Sequence, residues 1–206
     1  DRTMFERRKK TLPVRLLGDS VLNAKAKVVR KIDDELFELG EKMIETMYKN
    51  DGIGLAAPQV GVPLRMFALH VYMQEDENGN PVCGSSPGEL ELLPKMPLVF
   101  VNPEIVSRSE VIEEREEGCL SVPGLYAPVA RPASVVLKAQ ILGGKEICLE
   151  CGGLLGRAIQ HEYDHLDGIV FVQRLKDEDL SSIKSGIDKI VKKSGKRNFK
   201  INRVKQ

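Results

Sequence analysis

Five consecutive residues, His161-Glu162-Tyr163-Asp164-His165, constrain the fold of this chain more than any other stretch. Positions four apart share one face of a helix. The surrounding pattern predicts a helix over residues 154–166, closed by Asp167-Gly168, with glycine where a left-handed cap is wanted. On that helix Leu154, Ala158, His161 and His165 continue one apolar stripe into the interior, and Leu155, Ile159, Glu162 and Leu166 form the adjoining one. Ionisable groups on a buried face need partners. A metal ion answers that need. Both imidazoles can reach one ion, and Glu162 then lies beside the open coordination position, where it can take a proton from water.

Two ligands are too few, and the third is not evident from this helix. Common zinc peptidases take it from downstream, as a histidine or an acid. No histidine follows His165, and Asp167, Asp177, Glu178, Asp179 and Asp188 stand in no second recognisable motif. Upstream, Glu117-Gly118-Cys119-Leu120-Ser121 sets a cysteine beside a glycine. A lone cysteine is more often a small buried hydrophobe than a ligand. Residues 52–61 (GIGLAAPQVG) put small side chains where a chain must pass close to something, and carry one amide, Gln59. This stretch lacks the Gly-Lys-Ser/Thr ending of a phosphate loop; its plain alternative is a glycine-rich turn entering a strand.

The rest of the chain predicts a mixed fold. A helix is expected over 33–48, with Asp33, Asp34 and Glu35 suiting its first turn, and another over 179–193, with Leu180, Ile183, Ile187, Ile190 and Val191 on one side. Strand signals occupy 12–17, 64–73, 98–101, 110–115, 134–142 and 145–151, and Gly143-Gly144 suits a hairpin turn. Residues 74–97 read as a long surface loop. Strands in the middle and helices at intervals argue α+β, with mixed or antiparallel sheets packed around a central helix bearing the histidines. The 206 residues fit one domain, with a core about 12–176 and a helix and basic tail over 177–206.

Composition narrows the function classes. The chain is 42% hydrophobic and 30% charged, and no apolar run approaches the ~18 residues of a membrane span. Residues 1–10 (DRTMFERRKK) are too polar for a signal peptide, which points to a cytoplasmic setting. Four cysteines in a chain this long do not make a disulfide framework. From Ser181 to Gln206 nine basic residues face one acid, giving +8 against −7 for the remainder of a chain of net charge +1. Such a tail can touch a polyanion or be a solvated, fraying end.

Taken together and in this order, residues 52–59, 117–121 and 161–165 resemble the peptide deformylase family, and the chain from about 14 to 175 is similar to it as well. The resemblance implies a single divalent metal held by Cys119, His161 and His165, with ferrous iron (Fe2+) native and Zn2+, Ni2+ or Co2+ accepted on purification. It implies N-formylmethionyl nascent peptides as substrates, with formate released, and Glu162 as base and then acid. The Gln59 amide and the Leu120 backbone N–H would meet the formyl oxygen. Gly52, Ile53, Gly54 and Gly118 would face the bound peptide, and Glu117 with Arg131 would steady the metal loop. Leu120, Tyr126 and the 157–161 turn join Ile53 as positions for the methionine pocket.

The family further implies a monomer in a bacterial cytoplasm, or else in an organelle of bacterial descent, with no DNA and no membrane partner. The basic tail could then lie on the ribosome. Two other readings compete. One is a general zinc peptidase of the His-Glu-x-x-His kind. The other is a structural zinc-binding module, Cys148-x-x-Cys151 with the two histidines, whose nine-residue gap is short and whose cysteines would point to opposite faces of a strand. His70, in an apolar strand, reads as a hydrogen-bonded core histidine.

Overall fold

The computed structural model describes residues 11–82, 84–196 and 199–204; residues 1–10 and Cys83, and residues 197–198 and 205–206 of the basic tail, lie outside them. In chain order the elements are α1 (Asp34–Lys49), β1 (Gly54–Ala56), β2 (Met66–Leu69), β3 (Gln74–Glu75), β4 (Pro81–Val82), α2 (Pro87–Leu92), β5 (Leu98–Arg108), β6 (Ile112–Cys119), β7 (Val122–Pro132), β8 (Ser134–Ile141), β9 (Glu146–Gly152), α3 (Gly153–Leu166) and α4 (Asp177–Lys193). The fold is α+β with antiparallel sheets. Strands β1-β2-β5-β8-β9 form a five-stranded sheet, and β3-β4 and β6-β7 form two ribbons.

Helix α1 begins where its sequence says, because the Asp33 carboxylate accepts the Leu36 N–H at 3.1 Å. Its buried face, with Leu36, Met43 and Met47, packs with Met66, Ala68, Val99 and Val101 of the large sheet. On the other sheet face, Phe67, Leu69, Phe100 and Leu137 meet Leu155, Ala158, Ile159 and Leu166 of α3. Strand β2 is thus buried on both faces, which explains its unbroken apolar run. A third cluster joins Val122, Ala127 and Val129 of β7 to Phe171 and Leu175, and to Ile187, Ile190 and Val191 of α4. Each such large side chain, fully buried, contributes about 1.5–3 kcal/mol.

Several expectations need correction. Residues 12–17 form no strand, although the chain there is held by Arg15 N–H to the Gln59 carbonyl at 2.7 Å and Leu17 N–H to the Ser121 carbonyl at 2.9 Å. Strands expected at 98–101 and 110–115 continue to Arg108 and Cys119. Segment 74–97 is no plain loop: it holds the β3-β4 ribbon and α2, and Leu92 and Leu93 enter the core of the sheet and α3. Strand β7 had no predicted counterpart. Pro123, Gly124, Pro128 and Pro132 interrupt its pattern, and such residues are tolerated here because, among the described residues, β7 pairs only with β6. Its legible signal was the alternation of buried Ala127, Val129 and Arg131, which the arginine disguises.

Candidate functional site

Three segments converge on one side of α3. Along β6 and β7 the pairing is regular to Gly118 opposite Tyr126, then slips, so that Cys119 pairs with Val122. The slip re-aims the thiol, as β-bulges do. Cys119 Sγ stands 3.4 Å from His165 Nε2, and the donor atoms of Cys119, His161 and His165 all lie within 4.8 Å of one another.

Strand β1 brings the second segment. A Cβ on Gly54 would sit 2.5 Å from Glu162 Oε1, so only glycine lets the strand pass this close to the carboxylate. The turn after it orients Gln59, which is 1% exposed. Its Oε1 accepts the Ala56 N–H at 2.8 Å, so the amide N–H groups face the site and donate to Ser121 Oγ at 3.1 Å and Cys119 Sγ at 3.4 Å. Gly118 lines the cleft at this site and also packs under Tyr126. A Cβ there would lie 2.5 Å from the Tyr126 ring, so the room it leaves is filled by that ring.

Behind the donors runs a buried ionic chain. Arg131 Nε donates to both Glu117 oxygens at 2.9 and 3.0 Å, and Arg131 Nη1 donates to Asp164 Oδ2 at 2.8 Å. Arg174 closes it with bonds of 2.6 and 2.8 Å to Asp164. Glu117 Oε1 lies 3.6 Å from His161 Nδ1, which leaves the other ring nitrogen facing Glu162 Oε1 at 4.0 Å. A carboxylate behind an imidazole fixes its orientation and raises its basicity as a donor. The Glu117–Arg131 pair was expected from the family resemblance alone; the parts played by Asp164, Arg174 and Ser121 were not expected, because only the fold brings them to the site.

Burial works to raise the Glu117 carboxyl, but hydrogen bonding to His161 and the Arg131 charge prevail and hold it at about 2. Burial pushes Glu162 up to about 7, against the pull of His161 and Arg131. Burial opposes protonation of His161, yet Cys119, Glu117 and Glu162 around it hold the ring well above its ordinary value. The spot therefore favours a positive charge. His165, by contrast, is driven well below its ordinary value by burial and by the His161 charge.

These residues fit a metal ion. One thiol and two imidazoles are borderline-soft donors suited to a divalent transition metal. Glu162 Oε2 is buried with no hydrogen-bond partner among the described residues, as are His165 Nδ1 and Arg131 Nη2. An orphaned carboxylate oxygen beside three convergent donors calls for a ligand or water. The site opens into a cleft of about 560 Å³, lined by Gly52, Ile53, Gly54, Leu120, Tyr126, Leu154 and Arg157 among others. Ile53 is 37% and Tyr126 61% exposed, as pocket-lining groups would be.

The polypeptide deformylase family model matches residues 11–181. The chain belongs to that family. The peptide deformylase of Thermosynechococcus vestitus is 41% identical over 169 residues, covering 82% of this chain and 81% of that protein. The peptide deformylase of Agrobacterium fabrum is 40% identical over 163 residues, covering 79% and 86%. Among solved structures, the peptide deformylase from Ehrlichia chaffeensis has a TM-score of 0.75 and 32% identity, covering 90% of this chain and 98% of that one. A plant peptide deformylase gives 0.74 and 35%, covering 93% and 94%.

Within a deformylase fold the competing readings find no support. Cys148 is exposed and Cys151 buried, on opposite faces of β9, and burial pushes the Cys151 thiol up to about 12. Among the described residues, only Cys119, His161 and His165 group as metal donors. No helix among them is long and apolar enough to cross a membrane. His70 is hydrogen-bonded as expected, to the Tyr48 hydroxyl, but it is half-buried and stacks on Tyr72 at 4.0 Å rather than lying in the core.

Proposed function

We propose that residues 1–206 form a single catalytic domain, core about 12–176, that removes the N-formyl group from the formylmethionine at the start of newly made proteins and releases formate. The observation that carries this reading is the buried, unpartnered Glu162 oxygen beside the Cys119–His161–His165 donors, with the Gln59 amide turned toward the same point. Helix α3 is the central element on which the site is built.

When bound, a divalent ion would lower the pKa of water toward neutrality and polarise the formyl oxygen. Glu162 takes the proton of the attacking water and passes it to the departing amine, acting first as base and then as acid. Negative charge grows on the formyl oxygen, where the Gln59 side chain and the Leu120 backbone N–H donate. Removing one such donor typically costs ~10²–10³-fold in rate. The peptide lies along Gly52–Gly54 as an added strand, since among the described residues β1 pairs only with β2 and leaves its other edge open. Its first side chain enters the cleft past Ile53.

Ferrous iron is the metal we assign, with zinc, nickel or cobalt as substitutes. Formate release from a formylmethionyl peptide by protein reloaded anaerobically with Fe2+ is the expected result; a folded, metal-loaded chain without this activity would refute the assignment.

We further propose a monomer, working in a bacterial cytoplasm or an organelle of bacterial descent, whose basic end meets the ribosome. The end is not a free tail throughout: Val204 N–H bonds to the Gln173 carbonyl at 3.0 Å, while Phe199 and Ile201 pack on the α4 cluster. Lys184, Lys192, Lys196 and Lys200 rim the groove beside them. Replacing Lys196 and Lys200 with glutamine is expected to reduce co-sedimentation with ribosomes and to make what remains less sensitive to salt. Equal sedimentation would dismiss the contact.

A further inference from the structure

Helix α3 begins without a cap of its own. Gly152 holds the N-cap position with no side chain to offer, and no acid lies in the first turn. Gly153 sits at φ 59°, and a Cβ on Gly156 would come within 2.4 Å of the Cys151 carbonyl oxygen, so the chain turns from β9 into α3 with little room. Yet this first turn is part of the cleft: Leu154, Arg157 and Ala158 line it, and Leu154 remains 39% exposed.

The missing groups come from segment 84–92. Ser86 Oγ accepts the Gly152 N–H at 3.0 Å. The Glu89 carboxylate lies against Gly153, where a Cβ would be 2.7 Å from Oε2. That carboxylate is itself fixed, accepting from the Ser86 N–H at 3.2 Å and the Ser86 hydroxyl at 2.7 Å, while Ser86 Oγ accepts the Glu89 N–H at 3.3 Å. Gly88 seats α2 directly on β9, since a Cβ there would lie 2.8 Å from the Glu150 carbonyl oxygen. A negative charge also suits the positive end of a helix.

We propose that Ser86 and Glu89 are positioning residues for substrate selection. Segment 84–92 supplies α3 with a cap from outside the helix, and so holds Leu154 and Arg157 at the spacing that fits the substrate's first side chain. The inference rests on the deformylase reading. His161 lies about two turns beyond Leu154, past Leu155 and Ile159 at 1% and 0% exposure, so loosening the first turn spares the reacting groups.

The test compares Ser86→Ala, Glu89→Gln and the conservative Ser86→Thr in the full chain. KM for a formylmethionyl peptide is expected to rise about 5-fold in the first two, as loss of a cap implies. The kcat is expected to stay within about two-fold, the mark of lost binding common to ground and transition states. Preference for formylmethionyl over formylalanyl peptides falls, Ser86→Thr restores both, and amide exchange quickens at Leu154 and Leu155 but not at His165. A kcat that falls with KM, or an unchanged preference, overturns the selection role. Unchanged exchange overturns the cap. A wild type that turns over neither peptide overturns the substrate half together with the deformylase reading, whereas exchange still decides the cap by itself.

Discussion

Glu162→Gln is expected to lower kcat by ~10²–10⁴-fold while metal content and folding stay intact. Glutamine keeps the volume and one carbonyl oxygen, so the packing against Gly54 is preserved. What it removes is the ability to take a proton and give it back. Among the described residues Glu162 Oε2 has no hydrogen-bond partner and Oε1 meets only His161 Nε2, at 4.0 Å, so little ion pairing is lost with it. Burial raises this carboxyl to about 7 despite the pull of His161 and Arg131, so above that pH its charge costs stability. A neutral side chain there should leave the unfolding midpoint unchanged or raise it. Formate release by the variant at the wild-type rate would remove Glu162 from the chemistry, and thermal unfolding with metal analysis would exclude a trivial cause.

Cys119→Ala is expected to abolish stoichiometric metal binding. Removing even a partner of a ligand typically costs ~10–100-fold in metal affinity, so loss of a direct donor should exceed ~100-fold. The fold should survive, because the half-buried Cys119 contributes little apolar area and the β6-β7 ribbon is held by the pairs from Ile112 to Gly118 before it. Cys148→Ser is the matched control: Cys148 is exposed on β9 and should release no metal. Metal retained in the first variant, or lost in the second, would return the choice to a general zinc peptidase or a zinc-binding module. Metal analysis after dialysis reads both variants directly.

Much of this site was legible because helical spacing is local. His161, Glu162 and His165 share a helix, and no tertiary information is needed to see that their face is buried. Helix α1 was equally plain, since its cap and its apolar period lie within one segment. Segment 74–97 was misread because its organising contacts are distant: Ser86 finds its partner at Gly152, and Leu92 its neighbours across the sheet. Strand β7 was missed because its inward positions include Arg131, whose burial makes sense only once Glu117 and Asp164 stand beside it.

The sequence by itself singled out His161, Glu162 and His165, because their spacing constrains one helix face; Cys119 and Gln59 came forward only through the family resemblance. Only the tertiary structure decided how they act together. The slip at Cys119 aims the thiol at His165, the Ala56 N–H turns the Gln59 amide inward, and Asp164 ties Arg131 to Arg174 behind the metal donors. Each of these depends on contacts between residues far apart in the chain. Spacing along a sequence fixes which face a side chain occupies; the partner that waits there is chosen by packing.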